Sequence, residues 1–533
     1  MFTTPSVRAR HRAALQHTRA GATSTDDLAA SRPTLKRGLS TAGESASAGA
    51  LGAAARKQAR SAADTQAPGA RQQPHEASAR PSGPAGDAAP GERVLLCGDK
   101  HTVVEVAALP DAAWRQVAAA SARGLPLAAG LSSAGPFAFV ATPTECGVWA
   151  YGHSGVTGRV HRLETAASSD EAPIVALAAV GDASDVGALV CTPSGQLRYW
   201  DRVAFGLGGT ERFRSGAIAL GDTGDRCAQA TEVLQGLLVV ATAQGRLFRV
   251  VLDDSTELDP QPLGRGTYGG VLGRVSSLLG ATGDTADGVL VGIACGSRAD
   301  LRHSRELLVL TRTRLSKWVV SRSQAERREY SMDIVRALTL AAGGSESVRV
   351  LDVAATHAGD ACVLAATRRG GREQLAVALL RSGRASEPDV IGMWPFSCVP
   401  ADGVPAQARL VLPDGGPALL VVLRTTVVAA VVTAAGIAFE AQVTLSAETP
   451  VLAQGAMSGA GTLLCAGAGV LRVSVDVARV LGAAPQAQPS AERECQTQLE
   501  QAVFFDCAGS PLAFPLMPQG TSSNGTLETA ALR

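Results

Sequence analysis

One pattern recurs along most of this chain and strongly limits the folds available to it. A short run rich in aliphatic and β-branched residues is followed by a small turn and by a second such run. The pattern occurs in eight places: 93–106, 137–151, 188–200, 237–252, 307–320, 362–380, 418–432 and 462–475. Apolar runs of this length, bounded by turn residues, predict β-hairpins.

A single hairpin of this kind is marginally stable and exposes its edges. A β-propeller solves both problems, because it repeats four-stranded blades around an axis. The sequence therefore predicts an all-β protein with a β-propeller fold. Eight hairpins fit seven blades if the first and the last hairpin complete one blade together, and the pattern alone leaves six or eight blades open.

Single residues fit the same interpretation. Gly147, Gly195 and Gly245 are predicted to provide the positive φ that tight hairpin turns require. Three tryptophans fall near the ends of second strands and are predicted to pack between blades rather than against a ligand: Trp149, Trp200 and Trp318.

The composition changes at both ends of the repeated region. Residues 1–90 are a mixture of Ala, Ser, Pro, Gly and Arg with 12 basic and 6 acidic side chains. Such a segment buries too little apolar surface to offset the entropy of ordering, so it is predicted to be a disordered basic arm. Residues 91–480 form the predicted propeller. In the remaining segment, 481–533, helical spacing over 489–505 predicts a short α-helical tail, and the start of a truncated helical domain is left open.

Targeting and membrane signals are weak. The first residues, MFTTPSVRARHRAALQH, lack the apolar core of a secretory signal, although their Arg-rich and acid-poor character leaves an organellar transit peptide open. The most apolar segment, 418–439, has Arg424 within it, and each of its halves has the length of a strand. We therefore predict two buried strands there rather than a membrane-spanning helix.

Residues that carry chemistry form no recognisable group. The ten cysteines are scattered singly, without a C-x-x-C pair or a Cys/His cluster of zinc-ligand spacing. They are predicted to be buried free thiols in a reducing compartment. From residue 91 onward, 37 basic and 42 acidic residues give no basic face for nucleic acid. The prediction is a non-enzymatic protein without cofactor or metal and without sequence-specific nucleic-acid binding.

One glycine-rich segment imitates a nucleotide-binding loop. Residues 264–280 read GRGTYGGVLGRVSSLLG, and their first eight residues fit the G-x-G-x-x-G-x-V template of protein kinases. A kinase also requires a lysine on the next strand and the motifs H-R-D and D-F-G. The next lysine is Lys317, both motifs are missing, and no G-K-[ST] occurs in the chain. We therefore reject the kinase interpretation.

The same segment has an apolar stripe when it is placed on a helix. The stripe consists of Tyr268, Val271, Leu272, Val275, Leu278 and Leu279. Glycine costs a helix about 0.8–1 kcal/mol relative to Ala, so the segment is predicted to be unfolded in water. Burial returns about 1.5–3 kcal/mol for each large side chain. Because charges are scarce here, binding would depend on gaps between lipid headgroups, which are typical of curved membranes. A glycine-rich propeller loop, or a helix packed on a protein partner, remains open.

Four segments together resemble a known family. SGQLRYW (194–200), the glycine-rich segment, LSKWVV (315–320) and EYSMDIVRAL (329–338) occur in an order and spacing similar to the 133-kDa nucleoporin family. These proteins belong to the Y-shaped coat complex in the outer rings of the nuclear pore. The resemblance covers roughly residues 90–480 and includes the basic N-terminal arm.

The resemblance implies a function and a site. It implies a scaffold at the nuclear envelope that supports transport of protein and mRNA, with other Y-complex nucleoporins as partners. Its propeller would contact the curved pore membrane peripherally through the curvature-sensing loop Leu263–Gly280. The implied membrane-binding residues are Leu263, Tyr268, Val271, Leu272, Val275, Leu278 and Leu279.

The sequence leaves two other assignments open and differs from the family in one respect. A larger inner-ring nucleoporin shares the same type of N-terminal domain. From the residues alone, a general protein-interaction propeller whose loop binds a protein partner is the other hypothesis. The family continues into a long helical stack that docks on the next coat subunit, whereas this chain stops at Arg533. We therefore do not assign that docking function to these residues.

Overall fold

The computed structural model describes most of the chain from residue 92 to residue 482. The gaps are 134, 152–159, 166–169, 181–184, 204–211, 222–223, 254, 265–287, 297–302, 323–325, 344, 346, 383–387, 399–406 and 458. Beyond residue 482 it describes residues 503 and 510–513. The predicted disordered arm, 1–90, and most of the predicted helical tail lie outside the described residues.

The described residues form thirty strands, which belong to seven sheets. The first two are β1 (Arg93–Cys97) and β2 (His101–Ala107). Blades one to three contain β3 (Ala128–Leu131), β4 (Phe137–Ala141), β5 (Glu145–Ala150), β6 (His161–Glu164), β7 (Ile174–Val180), β8 (Asp185–Cys191), β9 (Gln196–Trp200), β10 (Arg214–Ala217), β11 (Cys227–Leu234), β12 (Leu237–Thr242), β13 (Leu247–Val251) and β14 (Gln261–Pro262).

The remaining strands complete the other four blades. Blades four to six contain β15 (Leu290–Cys295), β16 (Ser304–Thr311), β17 (Arg314–Ser321), β18 (Arg327–Asp333), β19 (Ser347–Ala355), β20 (Ala361–Arg369), β21 (Arg372–Arg381), β22 (Asp389–Pro395), β23 (Arg409–Val411), β24 (Ala418–Val422), β25 (Thr426–Thr433) and β26 (Gly436–Leu445). Blade seven contains β27 (Val451–Met457), β28 (Ala460–Cys465) and β29 (Gly469–Val475), and β30 (Leu512–Ala513) follows.

The seven sheets close into a ring. The first strand of each blade contacts the first strand of the next, and β27 of blade seven contacts β3 of blade one. Blade seven combines three strands from the end of the repeated region with two from its start, in the order β27-β28-β29-β2-β1. His101 of β2 lies opposite Val475 of β29. The predicted β-propeller is therefore confirmed with seven blades, and the first and last hairpins share a blade as expected.

The other seven predicted hairpins are the second and third strands of the blades. Gly195 and Gly245 lie in their turns with φ of 93° and 78°, as predicted. The assignment of Gly147 to a turn was wrong, because this residue lies inside β5 opposite Val140. A Cβ at position 147 would lie 2.8 Å from Val160 Cγ1, so close packing explains the missing side chain.

The hydrophobic core is divided into seven clusters, and each cluster fills the interface between two neighbouring blades. Trp149 and Trp200 are buried in two of these interfaces, and Trp318 packs at the edge of a third. The tryptophans therefore pack between blades, as the sequence predicted. A Trp or Leu shared by two sheets stabilises the contact between blades as well as each blade itself.

The apolar segment 418–439 forms β24, β25 and the start of β26, and the first two of these strands are largely buried. Arg424 lies in the turn between β24 and β25 and is exposed. No helix in the described part of the chain is long and apolar enough to span a bilayer.

The cysteines differ in environment. The eight described cysteines are free, and five of them are buried, including Cys362 and Cys465. Burial raises the pKa of these two thiols to about 12, which keeps them protonated at neutral pH. Cys97 is exposed, because it is the last residue of β1 at the edge of blade seven, so its predicted burial was wrong.

The two ends of the blades form two different faces of the propeller. In a four-stranded antiparallel blade, the turn between the second and third strands lies at the same end as the connection to the next blade. We call this end of the molecule the loop face. Two helices are connections of this kind: α1 (Asp111–Arg123), before blade one, and α2 (Ile334–Ala341), between blades four and five. A third helix, α3 (Val477–Gly482), follows β29.

Both loop-face helices have clear end signals. Helix α1 ends at Gly124, whose φ of 63° places it in the left-handed region. Helix α2 begins after Asp333, whose carboxylate accepts a hydrogen bond of 2.9 Å from the backbone N–H of Arg336.

The last described residues also belong to the propeller. Strand β30 pairs with the end of β26 and adds a fifth strand to blade six, with Leu512 opposite Leu445. Leu512 is buried in the cluster between blades six and seven. The propeller thus includes residues well beyond position 480, where the sequence placed its boundary.

Candidate functional site

The glycine-rich segment is the connection from blade three to blade four. It leaves β14 at Leu263 and Gly264, and the chain is described again from Gly288, just before β15. By its place between two blades, the connection starts and ends on the loop face. The residues of the predicted apolar stripe, Tyr268, Val271, Leu272, Val275, Leu278 and Leu279, lie outside the described residues.

Leu263 anchors the start of the connection. Its backbone N–H donates a hydrogen bond of 2.9 Å to the carbonyl oxygen of Leu247 at the start of β13. Its side chain is only 5% exposed and belongs to the cluster between blades three and four, together with Val309 and Val320. This differs from the sequence assignment of Leu263 to the membrane-contacting set. Here the side chain is already shielded by the protein, so it holds the base of the connection.

Gly264 allows the chain to leave the sheet at this point. Its φ is 89°, in the left-handed region that disfavours residues with a Cβ. A Cβ at this position would lie 3.4 Å from Cη2 of Trp318. The indole ring of Trp318 therefore covers the outgoing backbone, which binds the start of the connection to blade four as well as to blade three.

The returning end is held by two neighbouring turns. Leu290 N–H donates to the carbonyl oxygen of Ala243 at 2.8 Å, and Arg312 N–H donates to that of Val289 at 2.9 Å. Ala243 lies in the β12–β13 turn and Arg312 in the β16–β17 turn. Gly288 precedes these contacts with a φ of 100°. Both ends of the connection thus meet beside the β12–β13 turn, since Leu247 directly follows it.

The β12–β13 turn is stabilised by hydrogen bonds to the side chain of Asp225. Asp225 Oδ2 accepts a hydrogen bond of 2.8 Å from Nε of Arg246, and Asp225 Oδ1 accepts one of 3.1 Å from the backbone N–H of Gln244. Burial opposes ionisation of Asp225, but hydrogen bonds from Thr242, Arg246 and two backbone N–H groups outweigh it and lower its pKa. The carboxylate therefore stays charged and fixes the turn that supports the connection.

The sequence interpretation found the connection but missed its supports, Trp318, the β12–β13 turn and Arg312. Turn glycines such as Gly245 were a signal for the turn itself. Nothing local in the sequence indicated that blades three and four would bring these residues together. The described side chains around the base also form no metal site, because no group of three His, Cys, Asp or Glu suited to an ion is found among the described residues. The geometry of the described residues at this site anchors a loop.

The architecture is that of a solved nucleoporin domain. The crystal structure of the Nup133 β-propeller domain from Vanderwaltozyma polyspora matches with a TM-score of 0.55 at 13% sequence identity, over 72% of this chain and 99% of that one. At this identity the match demonstrates a common fold. No protein-family model matches the chain.

Two relatives match in sequence. Nup133 of Mus musculus is 29% identical over 169 residues, which are 30% of this chain and 14% of the mouse protein. Nup133 of Danio rerio is 28% identical over 250 residues, or 43% of this chain and 21% of the fish protein. The chain is thus similar to the Nup133 nucleoporins. The resemblance predicted from the sequence is confirmed, and it concerns about a fifth or less of the length of these Nup133 proteins.

Proposed function

We propose that this chain is a non-enzymatic scaffold protein of the nuclear pore outer ring. It supports transport of protein and mRNA through its place in the Y complex, and its partners are other Y-complex nucleoporins. The connection between blades three and four senses the curvature of the pore membrane, with Tyr268, Val271, Leu272, Val275, Leu278 and Leu279 inserting between lipids. The similarity to Nup133 proteins supports the scaffold assignment.

The position of the connection carries the membrane part of the proposal. Glycine lowers the stability of the helix that carries the apolar stripe. If both ends of the segment are fixed to the propeller, insertion of the stripe holds the whole propeller at the membrane. Leu263 and Leu290 supply that base through backbone hydrogen bonds to one hairpin. The intervening segment starts and ends on one face of the propeller, so its insertion orients that face toward the lipid.

The test uses small and large vesicles of neutral phosphatidylcholine. The full chain is expected to bind the small vesicles more tightly, because strongly curved bilayers expose more gaps between headgroups. Replacing both Val271 and Leu278 with Asp places two charges on the stripe and is expected to abolish this preference. The matched control replaces Ser276 and Ser277 with Asp, which adds the same charge to the opposite face of the helix.

Two results would contradict the proposal. Equal binding of the wild-type chain to both vesicle sizes would remove curvature sensing. Equal loss of binding in the stripe variant and in the serine variant would show that charge rather than insertion is responsible. In either case the general protein-interaction propeller becomes the better hypothesis. A tagged chain is expected to give a punctate nuclear rim, and diffuse cytosolic signal would contradict the scaffold assignment itself.

A further inference from the structure

The loop face carries a cluster of arginines beside the base of the connection. We call it the basic sector: Arg312, Arg336, Arg369 and Arg372 together with Leu340. All four arginines are exposed, and among the described residues no ion pair is found for any of their side chains. Leu340 is 75% exposed on helix α2. An apolar side chain among unpaired positive charges is suited to a surface that is both anionic and oily.

Backbone contacts join the basic sector to the base of the connection. Arg312 donates its backbone N–H to Val289 at the returning end. The next residue, Thr313, accepts a hydrogen bond of 3.0 Å from the N–H of Ile334, the first residue of α2. Helix α2 in turn contacts β19 and β22 of blade five. The basic sector therefore continues directly from the base of the connection across the loop face of blades four and five.

The acidic residues nearby do not neutralise the basic sector. Asp333 uses one carboxylate oxygen to cap α2. Glu373 lies 3.4 Å from Nη2 of Arg349, another arginine of blade five. Glu373 thus has its own partner, and the Asp333 carboxylate offsets only one of the four arginine charges, so the basic sector remains positively charged among the described residues.

One pair of arginines is unfavourable for folding. Arg369 and Arg372 lie directly opposite each other at the end of β20 and β21. Between them Gly370 and Gly371 have φ of 58° and 77°, which corresponds to a tight two-residue turn of the I′ type. Like charges directly opposite each other on neighbouring strands destabilise a sheet. An anionic ligand would relieve this repulsion, whereas no acidic side chain in the described part of the chain forms an ion pair with either arginine.

We propose that the basic sector docks on the anionic headgroups of a lipid bilayer, with Leu340 entering the interface between the arginines. This inference rests on the proposed function, because it uses the same face of the propeller. It adds a separate requirement, since the loop is poor in charge and responds to curvature, whereas the basic sector responds to anionic lipid on a flat surface. Arginine provides the planar, multiple donors that phosphate and carboxylate headgroups accept.

The test uses large vesicles, whose low curvature keeps the loop from contributing. Binding of the full chain is measured on vesicles of phosphatidylcholine alone and of three parts phosphatidylcholine to one part phosphatidylserine. The wild-type chain is expected to prefer the anionic vesicles and to lose this preference at high salt. Each arginine near an anionic surface contributes about fivefold in affinity, so Arg369→Gln with Arg372→Gln should weaken binding about 30-fold. Leu340→Ala should weaken it further.

The matched control is Arg381→Gln. Arg381 is exposed and lies at the other end of β21 from Arg372. The substitution therefore removes a positive charge from the same strand, but on the face of the propeller opposite the loop face. This variant is expected to bind anionic vesicles as the wild type does. Thermal unfolding of all variants checks that the surface substitutions leave the fold intact.

Three outcomes would overturn the inference. The first is no preference of the wild-type chain for anionic large vesicles, and the second is equal binding by the double variant and by Arg381→Gln. The third is loss of binding to duplex DNA in the double variant with vesicle binding unchanged, which would assign the sector to nucleic acid. The Val271 and Leu278 variant separates the two proposals, because it should still bind anionic large vesicles while losing the preference for small neutral ones.

Discussion

At the scale of single residues, the most unusual environment is that of Asp352. This residue lies in β19, the first strand of blade five, and is only 8% exposed. Its Oδ2 accepts a hydrogen bond of 2.8 Å from the backbone N–H of Leu410 in blade six, and Arg409 Nη1 lies 3.7 Å from Oδ1. Burial raises the pKa of Asp352 from its ordinary value of 3.8 to about 6, despite the opposing effect of Arg409.

This raised pKa predicts that the contribution of Asp352 to the stability of the folded chain falls as the pH rises from about 4 to about 6. Between these values the folded state binds more protons at Asp352 than the unfolded state does, so this contribution decreases with pH and is constant above the folded pKa. Asp352→Asn keeps an acceptor for Leu410 and has no charge to bury. Relative to the wild type, the free energy of unfolding of the variant is expected to be about 2–3 kcal/mol higher at pH 7 than at pH 4.

Urea unfolding of both chains at the two pH values measures this difference. A pH-independent difference between variant and wild type would mean that Asp352 does not carry the effect. Asp333→Asn is a suitable control, because Asp333 is exposed and serves as a helix cap.

At the scale of elements, the sequence predicted the hairpins well and the helices poorly. The eight hairpin units all correspond to strands. Strands such as β8, β12 and β24 are buried on both faces between neighbouring blades, which leaves a continuous apolar run in the sequence. Helices α1 and α2 were missed, although α1 has the Ala-rich sequence DAAWRQVAAASAR and a Gly after its end. Each is a short connection whose few apolar residues pack between two blades, so its pattern is weaker than that of the strands around it.

The element that carries the proposed site is the end of β14. Leu263→Ala is expected to lower the free energy of unfolding by about 2–5 kcal/mol, because it opens a cavity between blades three and four. Leu340→Ala is the control, since this leucine is exposed and its truncation should change stability by no more than about 0.5 kcal/mol. Urea unfolding compares the two. Equal effects would show that Leu263 is not a structural anchor, and the residue would return to the set of membrane-contacting candidates.

At the scale of the whole molecule, the ring depends on strands from both ends of the repeated region. Strands β1 and β2 complete blade seven, and Leu95, Leu96 and Val103 are buried against blades six and seven. If these strands are absent, β29 becomes an unpaired edge next to an exposed core. The closure therefore joins the chain near residue 100 to the chain near residue 475.

Two truncations test this closure and the predicted domain boundary together. Removing residues 1–90 is expected to leave the melting temperature unchanged, because the arm is predicted to lie outside the propeller. Removing residues 1–107 also takes away the two closing strands. Each buried aliphatic side chain contributes about 1.5–3 kcal/mol, so the loss approaches the total stability of about 5–15 kcal/mol typical of a domain. Cooperative melting of the longer truncation near the wild-type temperature would refute the role of β1 and β2.

The sequence alone determined the strands and their repetition, since each apolar run follows from local composition and from the need to bury one or both faces of a sheet. It also identified the loop, because an apolar stripe interrupted by glycines is visible in one stretch of chain. Tertiary structure decided which residues are shared between blades. Leu263, Trp318 and Asp352 acquire their roles only when two sheets meet, and the arginines of blades four and five lie on one face only because the ring places the two blades side by side. Contacts between residues distant in sequence form only when the ring closes, so they cannot be predicted from a local sequence pattern.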